Sequence, residues 1–228
     1  MEVLNCTSFF YRYNMERIIV AINGTIGSGK DTFSEEFIKA GYHRMSFATA
    51  LKDAVAVIFG WDREMLEGNT PEARKIRETK DEYWSAKLGR DITPRWILQH
   101  FGTDVVRKYF DDNTWVYSLE NKMRQIDGNI IITDCRFPNE LRMLRENNAT
   151  IIEVQRNVPS WYNDAYSYNV LLSKGRDVKL PESLKGIHRS EWAWIGINKP
   201  DYTVKNDSTV EKLHWNAFVI RHGIEDSK

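Results

Sequence analysis

A glycine-rich segment near the amino end of the chain has residues suited to binding phosphate. Positions 24–32 read Gly-Thr-Ile-Gly-Ser-Gly-Lys-Asp-Thr and directly follow the apolar run 18–22. Gly24 and Gly29 can adopt a positive φ and have no Cβ, so successive backbone N–H groups can turn inward around a polyphosphate. A helix beginning after this turn would add its free N–H groups and the positive end of its dipole. Lys30 would reach the β- and γ-phosphates, so the segment predicts a phosphate-binding P-loop.

One position departs from the usual P-loop pattern. The Ser or Thr that normally follows the lysine and gives a hydroxyl to Mg²⁺ is replaced by Asp31, with Thr32 next. A carboxylate is a hard oxygen ligand that suits Mg²⁺, so Asp31 is a candidate metal ligand. Alternatively, Asp31 only caps the helix and Thr32 supplies the hydroxyl. The residues predicted to contact the nucleotide phosphates are Gly24, Gly27, Ser28, Gly29, Lys30, Asp31 and Thr32.

A second group of polar residues follows the apolar run 130–132. Asp134 lies where P-loop proteins place a carboxylate at the end of a neighbouring strand, to hold the Mg²⁺ water shell or to act as a base. Arg136 can bind a phosphoryl oxygen through its planar fork. The alternative is structural, with Asp134 capping the next helix and Arg136 pairing with Glu140.

A third group lies within 95–107. Gln99 can pair with the edge of a base, and Arg107 can clamp a monophosphate. Trp96 and Phe101 are better explained as core residues than as stacking partners.

The composition limits the class of partner. The chain has 228 residues, and its 32 basic and 32 acidic side chains give no formal net charge. Proteins that bind long nucleic acids usually carry a basic excess, so a small phosphorylated molecule is the better prediction. The longest apolar runs are too short to cross a membrane. Two cysteines are too few for a disulfide framework and are typical of a reducing cytoplasm.

Apolar runs alternate with helical patterns along the chain, which predicts an α/β fold. We expect three layers, with a central, mostly parallel sheet of about five strands. Strands are predicted at 17–23, 42–47, 129–133, 150–155 and 201–205. Helices are predicted at 31–40, 48–59, 71–87, 93–102, 115–125 and 138–147, with a last helix after 208.

The domain prediction is a single domain over 15–228, preceded by a tail or upstream extension at 1–14. Within the domain, about 47–125 is predicted to be a helical, acceptor-binding insertion. The regular pattern is lost over about 156–192, which combines basic residues with several aromatics. A long irregular segment in a compact domain is either disordered or a functional lid, and the aromatic residues favour a lid.

Taken together, the motifs resemble those of the bacteriophage deoxynucleoside monophosphate kinases, a branch of the P-loop kinases. The resemblance rests on Gly-Lys-Asp-Thr at 29–32, Phe-Ala with Leu-Lys-Asp within 47–53, Gln-x-x-Gly-Thr-Asp-x-x-Arg at 99–107 with Trp115, Asp-x-Arg-Phe-Pro-Asn-Glu at 134–140, and Val-Lys-Asn-Asp-Ser at 204–208. The family often has Gly where this chain has Ser208.

The resemblance implies a role for each matching residue. Lys30 and the loop amides would bind the phosphates of ATP, and Asn206 would lie beside the adenine. Asp31 and Asp134 would act near Mg²⁺. The residues implied in catalysis are Lys30, Asp134, Arg136 and Arg156. Those implied in binding the acceptor are Lys52, Gln99, Arg107, Trp115, Arg136 and Arg189.

The implied function is transfer of the ATP γ-phosphoryl group to a (deoxy)nucleoside 5′-monophosphate, which would supply nucleotides for phage DNA synthesis in the host cytoplasm. The implied partners are small nucleotides, without polymeric nucleic acid or membrane, and a homodimer is compatible with this. Two alternatives stay open. One is a kinase of the same fold acting on dephospho-coenzyme A or phosphomevalonate, and the other is a regulatory switch that binds nucleoside triphosphates.

Overall fold

The computed structural model describes residues 17–227, and its centre is a parallel sheet of five strands in the order β2-β3-β1-β4-β5. The predicted tail at 1–14 lies outside the described residues. The strands are β1 (Ile19–Asn23), β2 (His43–Met45), β3 (Ile130–Ile132), β4 (Thr150–Gln155) and β5 (Tyr202–Lys205). The predicted α/β class and parallel sheet are confirmed. Because β1 lies in the middle, the loop that follows it has β3 on one side and β4 on the other.

The described residues also contain ten α-helices. In chain order they are α1 (Lys30–Lys39), α2 (Thr49–Phe59), α3 (Arg63–Glu67), α4 (Pro71–Glu78), α5 (Glu82–Leu88), α6 (Pro94–Gln99), α7 (Thr114–Met123), α8 (Pro138–Glu146), α9 (Tyr162–Ser173) and α10 (Val210–Asp226). Contacts divide the chain into two compact units. The first contains the described residues up to Ser46 and from Lys122 onward, and the second is Phe47–Asn121.

The central strands of the sheet in the first unit are buried on both faces. All residues of β1 and β3 are buried, which is typical of parallel strands covered by helices. Alternation along β1 directs Val20 and Ile22 to one face, where they join Phe33 and Phe37 of α1 and Leu213 of α10 in one apolar cluster. This packing fixes the start of α1 against the carboxyl end of β1.

The second unit is helical and has its own core. Val55, Leu66, Ile92 and Ile97 are buried together, with several tryptophans packed around them. The indole N–H of Trp84 donates to the Phe59 carbonyl at 2.9 Å, so this core also satisfies a buried donor.

Three predictions of secondary structure were wrong in part. The stretch 71–87 forms α4 and α5 rather than one helix, because Asp81 caps a new helix by accepting from the Trp84 N–H at 2.8 Å. The helix predicted to end at 102 begins as expected at Pro94, but it continues through His100–Phe110 as a wider helix of the π type.

The third correction concerns 156–192, where no regular element was predicted. This stretch contains α9, a helix of 12 residues, and two short 3-10 turns, Glu182–Leu184 and Arg189–Glu191. The side chain of Asn169 is buried in α9 and donates to the carbonyls of Trp192 and Ile195 at 2.8 and 2.9 Å. A buried polar residue on the packed face interrupts the apolar spacing by which helices are predicted.

The helices of residues 17–227 include none with the length and apolar character needed to span a membrane.

Candidate functional site

The predicted P-loop joins the carboxyl end of β1 to α1, in the first unit. Gly24 and Gly29 have φ values of 153° and 97°, which side chains with a Cβ rarely allow. A Cβ on Gly24 would lie 2.4 Å from the carbonyl oxygen of Val154, so the loop runs close against the backbone of β4. Gly29 occupies the cap position of α1, whose first N–H groups therefore open at the loop.

The Lys30 side chain folds back over this loop. Its ammonium donates to the carbonyls of Gly24 and Thr25 at 2.8 and 2.9 Å. Burial, together with the positive charge of Arg136, lowers its pKa to about 8, although the carboxylates of Asp31, Glu191 and Asp134 oppose this shift. The ammonium therefore stays mostly protonated at neutral pH and is held at the mouth of the glycine-rich turn.

Two carboxylates near Lys30 have partners within the first unit. Asp134 follows β3 and accepts a hydrogen bond from the Ser46 hydroxyl at 2.6 Å. Asp31 lies in the first turn of α1, where its side chain pairs with Arg44 at 2.6 Å. Because Gly29 has the cap position and no side chain caps α1, the expectation that Asp31 caps the helix is wrong, whereas a hydroxyl role for Thr32 stays a prediction.

Arg136 forms an ion pair that links distant parts of the first unit. Its Nη1 lies 2.8 Å from Oε1 of Glu191, whose side chain is only 15% exposed. The alternative pairing of the Arg136 side chain with Glu140 is therefore wrong. Glu140 instead accepts the backbone N–H groups of Arg136 and Phe137 at 2.6 and 3.1 Å, at the start of α8. The cap position of α8 is Phe137, so Asp134 is not the cap of that helix.

The loop has features that suit a polyphosphate. Within residues 17–227, Asn23 Oδ1 and Ser28 Oγ are buried side-chain atoms with no hydrogen-bond partner. Asn23 directly precedes the turn and Ser28 lies within it. An unpaired buried polar atom is costly, and a ligand or water can satisfy it. The turn thus combines glycines of positive φ, a helix amino end, a lysine and polar atoms that still need partners.

Two carboxylates near the loop are the candidate metal ligands, Asp31 and Asp134. Among the described residues there is no group of three His, Cys, Asp or Glu arranged to hold an ion. Mg²⁺ in nucleotide enzymes commonly uses only one or two carboxylates and takes its other ligands from phosphates and water. Asp31 and Asp134 therefore fit a Mg²⁺ that arrives with a nucleotide.

The predicted acceptor residues Lys52, Gln99, Arg107 and Trp115 all belong to the second unit. Lys52 pairs with Glu67 at 2.5 Å, and the buried Arg107 donates to the Asp112 carbonyl at 2.7 Å. The Trp115 indole N–H donates to the carbonyl of Gly102 at 3.0 Å. Burial alone would raise the pKa of Glu67, but its hydrogen bonds to Lys52 and Arg63 and their charges lower it. Gln99 is half-buried.

The remaining predicted residues lie in the first unit. Arg156 directly follows β4 and is exposed, as is Arg189, whose guanidinium lies 5.9 Å from the ring centroid of Phe137. Asn206 is buried, and its side chain donates to the Ser28 carbonyl in the loop at 2.9 Å.

Sequence reasoning gave no role to three residues that contact the predicted site. Arg44, Ser46 and Glu191 hold Asp31, Asp134 and Arg136, respectively. Ser46 precedes the Phe47-Ala48 motif and Glu191 ends the segment His-Arg-Ser-Glu at 188–191, so both adjoin recognisable motifs. No local pattern indicates which charged group each one contacts.

A parallel sheet with a glycine-rich loop and a lysine at the carboxyl end of its central strand defines the class of P-loop α/β proteins. A family model described as deoxynucleotide monophosphate kinase matches residues 63–168, a stretch that does not include the loop. The resemblance predicted from the motifs is confirmed, because this chain is similar to deoxynucleoside monophosphate kinases.

Individual relatives agree with this assignment. A protein of Acanthamoeba polyphaga mimivirus, provisionally named a deoxynucleotide monophosphate kinase, is 29% identical over 61% of this chain and 74% of its own. The deoxynucleoside-5′-monophosphate kinase of Escherichia phage T5 is 26% identical over 58% of this chain and 73% of its own. A solved structure of dephospho-CoA kinase from Campylobacter jejuni is 16% identical, with a TM-score of 0.44, and covers 91% of this chain and 97% of that one. That likeness is too distant to indicate a substrate.

The pair of Arg136 and Glu191 generates a prediction about stability. Glu191→Gln keeps the shape of the side chain but removes its charge, so Arg136 loses its ion-pair partner and Lys30 loses one nearby carboxylate. Gln can still accept a hydrogen bond from Arg136 but no longer carries the opposite charge, so we expect the free energy of unfolding to fall by about 1–2 kcal/mol, the difference between a charged and a neutral partner. Urea denaturation measures this loss.

Glu182→Gln is the matched control, because Glu182 pairs with Lys185 on the surface, where both side chains are more than half exposed. Exposed ion pairs contribute at most about 1 kcal/mol, so this variant should unfold almost as the parent does. Equal losses in the two variants would contradict a special contribution from Glu191.

Proposed function

We propose that this chain is an ATP-dependent kinase that transfers the γ-phosphoryl group to a (deoxy)nucleoside 5′-monophosphate. The names of the two viral relatives and of the matching family support this class of acceptor. The products would be ADP and a nucleoside diphosphate. The proposed place of action is the cytoplasm of the host cell, where these nucleotides occur.

The observation that carries the proposal is the loop between β1 and α1. Lys30 is held over a turn whose glycines have positive φ, at the amino end of a helix. This arrangement is typical of a site for the β- and γ-phosphates of a nucleoside triphosphate. It is independent of the family match, which begins only at residue 63.

The chemistry needs charge and position more than it needs a base. An oxygen of the acceptor phosphate attacks the γ-phosphorus, and the bond from that phosphorus to the bridging oxygen breaks, leaving the electron pair on ADP. A monophosphate is already ionised near neutral pH, so no strong base has to remove a proton. Lys30 and Arg136 would stabilise negative charge on the transferring group, with Arg156 and Arg189 as further candidates.

The carboxylates would orient the metal that accompanies ATP. When bound, Mg²⁺ would neutralise charge on the phosphates. Asp134, fixed by the Ser46 hydroxyl at 2.6 Å, is the better oriented of the two candidates. Asp31 is 70% exposed and already paired with Arg44.

In the second unit, Gln99 and Arg107 are the proposed contacts to the acceptor. Arg107 is nearly buried, and its bond to the Asp112 carbonyl fixes the direction of the guanidinium. The planar guanidinium has the fork geometry that suits a monophosphate. Gln99 is half-buried and offers both a donor and an acceptor to a base edge.

The function is tested by measuring ADP formation from ATP with each deoxynucleoside monophosphate, each ribonucleoside monophosphate and dephospho-coenzyme A. We expect turnover to depend on a nucleoside monophosphate. Lys30→Ala should lower that turnover by about 10²–10³, the usual loss for one transition-state charge contact. The exposed Lys39→Ala, in the last turn of α1, is the control and should keep parental turnover. Equal ADP formation without an acceptor would instead indicate a nucleotide switch.

The two candidate metal ligands are distinguished by substitution. Asp134→Asn should abolish most activity, because the better oriented carboxylate is lost, whereas Asp31→Ser should retain much of it. Activity is measured against Mg²⁺ concentration, and Asp134→Asn should require far more Mg²⁺ for any remaining turnover. The reverse ranking would identify Asp31 as the principal ligand.

The acceptor site is tested with Arg107→Lys, because lysine cannot reproduce the planar fork of arginine. We expect KM for the monophosphate to rise about tenfold or more while KM for ATP changes little. Gln99→Ala should change the order of preference among bases but leave the shared phosphate contacts intact. Melting temperatures show whether Arg107→Lys only loosens the second unit. Equal changes in both KM values would place the acceptor contacts elsewhere.

A further inference from the structure

The side chain of Asn206 is committed to the P-loop. It is 7% exposed, and its Nδ2 donates to the carbonyl oxygen of Ser28 at 2.9 Å, across 178 residues of sequence. The backbone N–H of Asn206 donates to the carbonyl of Gln155 at 2.8 Å, just beyond the pairing of β4 with β5. Asn206 is therefore anchored by its backbone to the sheet, and its amide reaches the loop from a fixed position.

This contact controls the orientation of one peptide group. The Ser28 carbonyl and the Gly29 N–H belong to the same planar trans peptide, so they point in opposite directions. When Asn206 holds the carbonyl on its own side, the Gly29 N–H must point away from Asn206. That N–H immediately precedes Lys30 and is one of the donors that a P-loop offers to phosphate.

The geometry around Gly29 leaves little freedom for another arrangement. A Cβ at Gly29 would lie 2.5 Å from Asn206 Nδ2 and 3.2 Å from a methyl carbon of Leu213. Ser28 is fully buried, and the Gly29 carbonyl accepts the Phe33 N–H at 2.9 Å. The Ser28–Gly29 peptide is thus enclosed by Asn206, Leu213 and the first turn of α1.

We propose that Asn206 is a positioning residue, which holds the Ser28–Gly29 peptide in the orientation that binds polyphosphate. This differs from the role implied by family resemblance, in which Asn206 lies beside adenine. The inference rests on the proposed function in one respect, because it requires that the loop bind a polyphosphate. It makes a distinct claim about recognition: Asn206 acts on the phosphates of any nucleotide, whatever the base.

Inorganic tripolyphosphate distinguishes the two roles, because it has the phosphates of ATP without the base. The dissociation constants of ATP and tripolyphosphate are measured by calorimetry without magnesium, using the full chain. Asn206→Ala should weaken both ligands by the same factor, about 3- to 10-fold, as expected for loss of one hydrogen bond that orients the loop. Asn206→Asp should weaken both further, because its carboxylate would face the Ser28 carbonyl.

Asn147→Ala is the matched control. The Asn147 amide also donates to a backbone carbonyl, that of Met143, at 2.9 Å, but it lies at the end of α8. This variant should bind both ligands as the parent does. Melting temperatures verify folding, and Asn206→Ser replaces Asn206→Ala if the alanine variant does not fold.

The measured affinities distinguish failure of the positioning role from failure of the proposed function. Weakening of ATP alone would overturn the inference and assign Asn206 to the base, and unchanged affinity for both ligands would also overturn it. If the parent protein binds neither ligand, the proposed function fails, and the inference fails with it. Equal weakening of ATP and tripolyphosphate supports the positioning role.

Discussion

A partly buried ammonium group must have oxygen partners, and the organisation of the first unit around Lys30 follows from this requirement. The carbonyls of Gly24 and Thr25 accept its hydrogen bonds, which is possible because the preceding turn bends back on itself. That turn depends on glycines at positive φ. The position of the turn is set by β1, because this strand is buried in the centre of the sheet and ends at a fixed place. A polyphosphate would complete the neutralisation of a charge that the fold has partly removed from water.

The charged side chains near Lys30 shift its pKa in opposite directions. Arg136 is of the same sign and lowers the lysine pKa, whereas Asp31, Glu191 and Asp134 oppose that effect. Each of these groups also has a partner of its own, Glu191 for Arg136, Arg44 for Asp31 and Ser46 for Asp134. Side chains held in this way lose little rotational freedom when a ligand arrives, so less of the binding energy is needed to order them.

The second unit meets a different constraint, because the polar residues predicted to contact the acceptor also have structural contacts. The Trp115 indole binds the carbonyl of Gly102, and a Cβ on Gly102 would lie 2.7 Å from Leu51. The Arg107 guanidinium donates a hydrogen bond to the Asp112 carbonyl, in the turn before α7. In this unit the side chains proposed to contact the acceptor also contribute to stability, so the kinetics of a substituted protein need a measurement of its folding for comparison.

The sequence by itself indicated the α/β class, the five strands and most of the helices along the chain, the P-loop motif and the resemblance to deoxynucleoside monophosphate kinases. These features are encoded in contiguous residues, because glycine spacing, apolar runs and helix caps act over a few positions. The helix α9 was missed, since its buried Asn169 is stable only when the carbonyls of Trp192 and Ile195 arrive from elsewhere. Only the tertiary structure decided that Glu191 holds Arg136, 55 residues away, and that Asn206 holds the Ser28 carbonyl. Such contacts join residues brought together by sheet pairing and packing, and no local pattern specifies them.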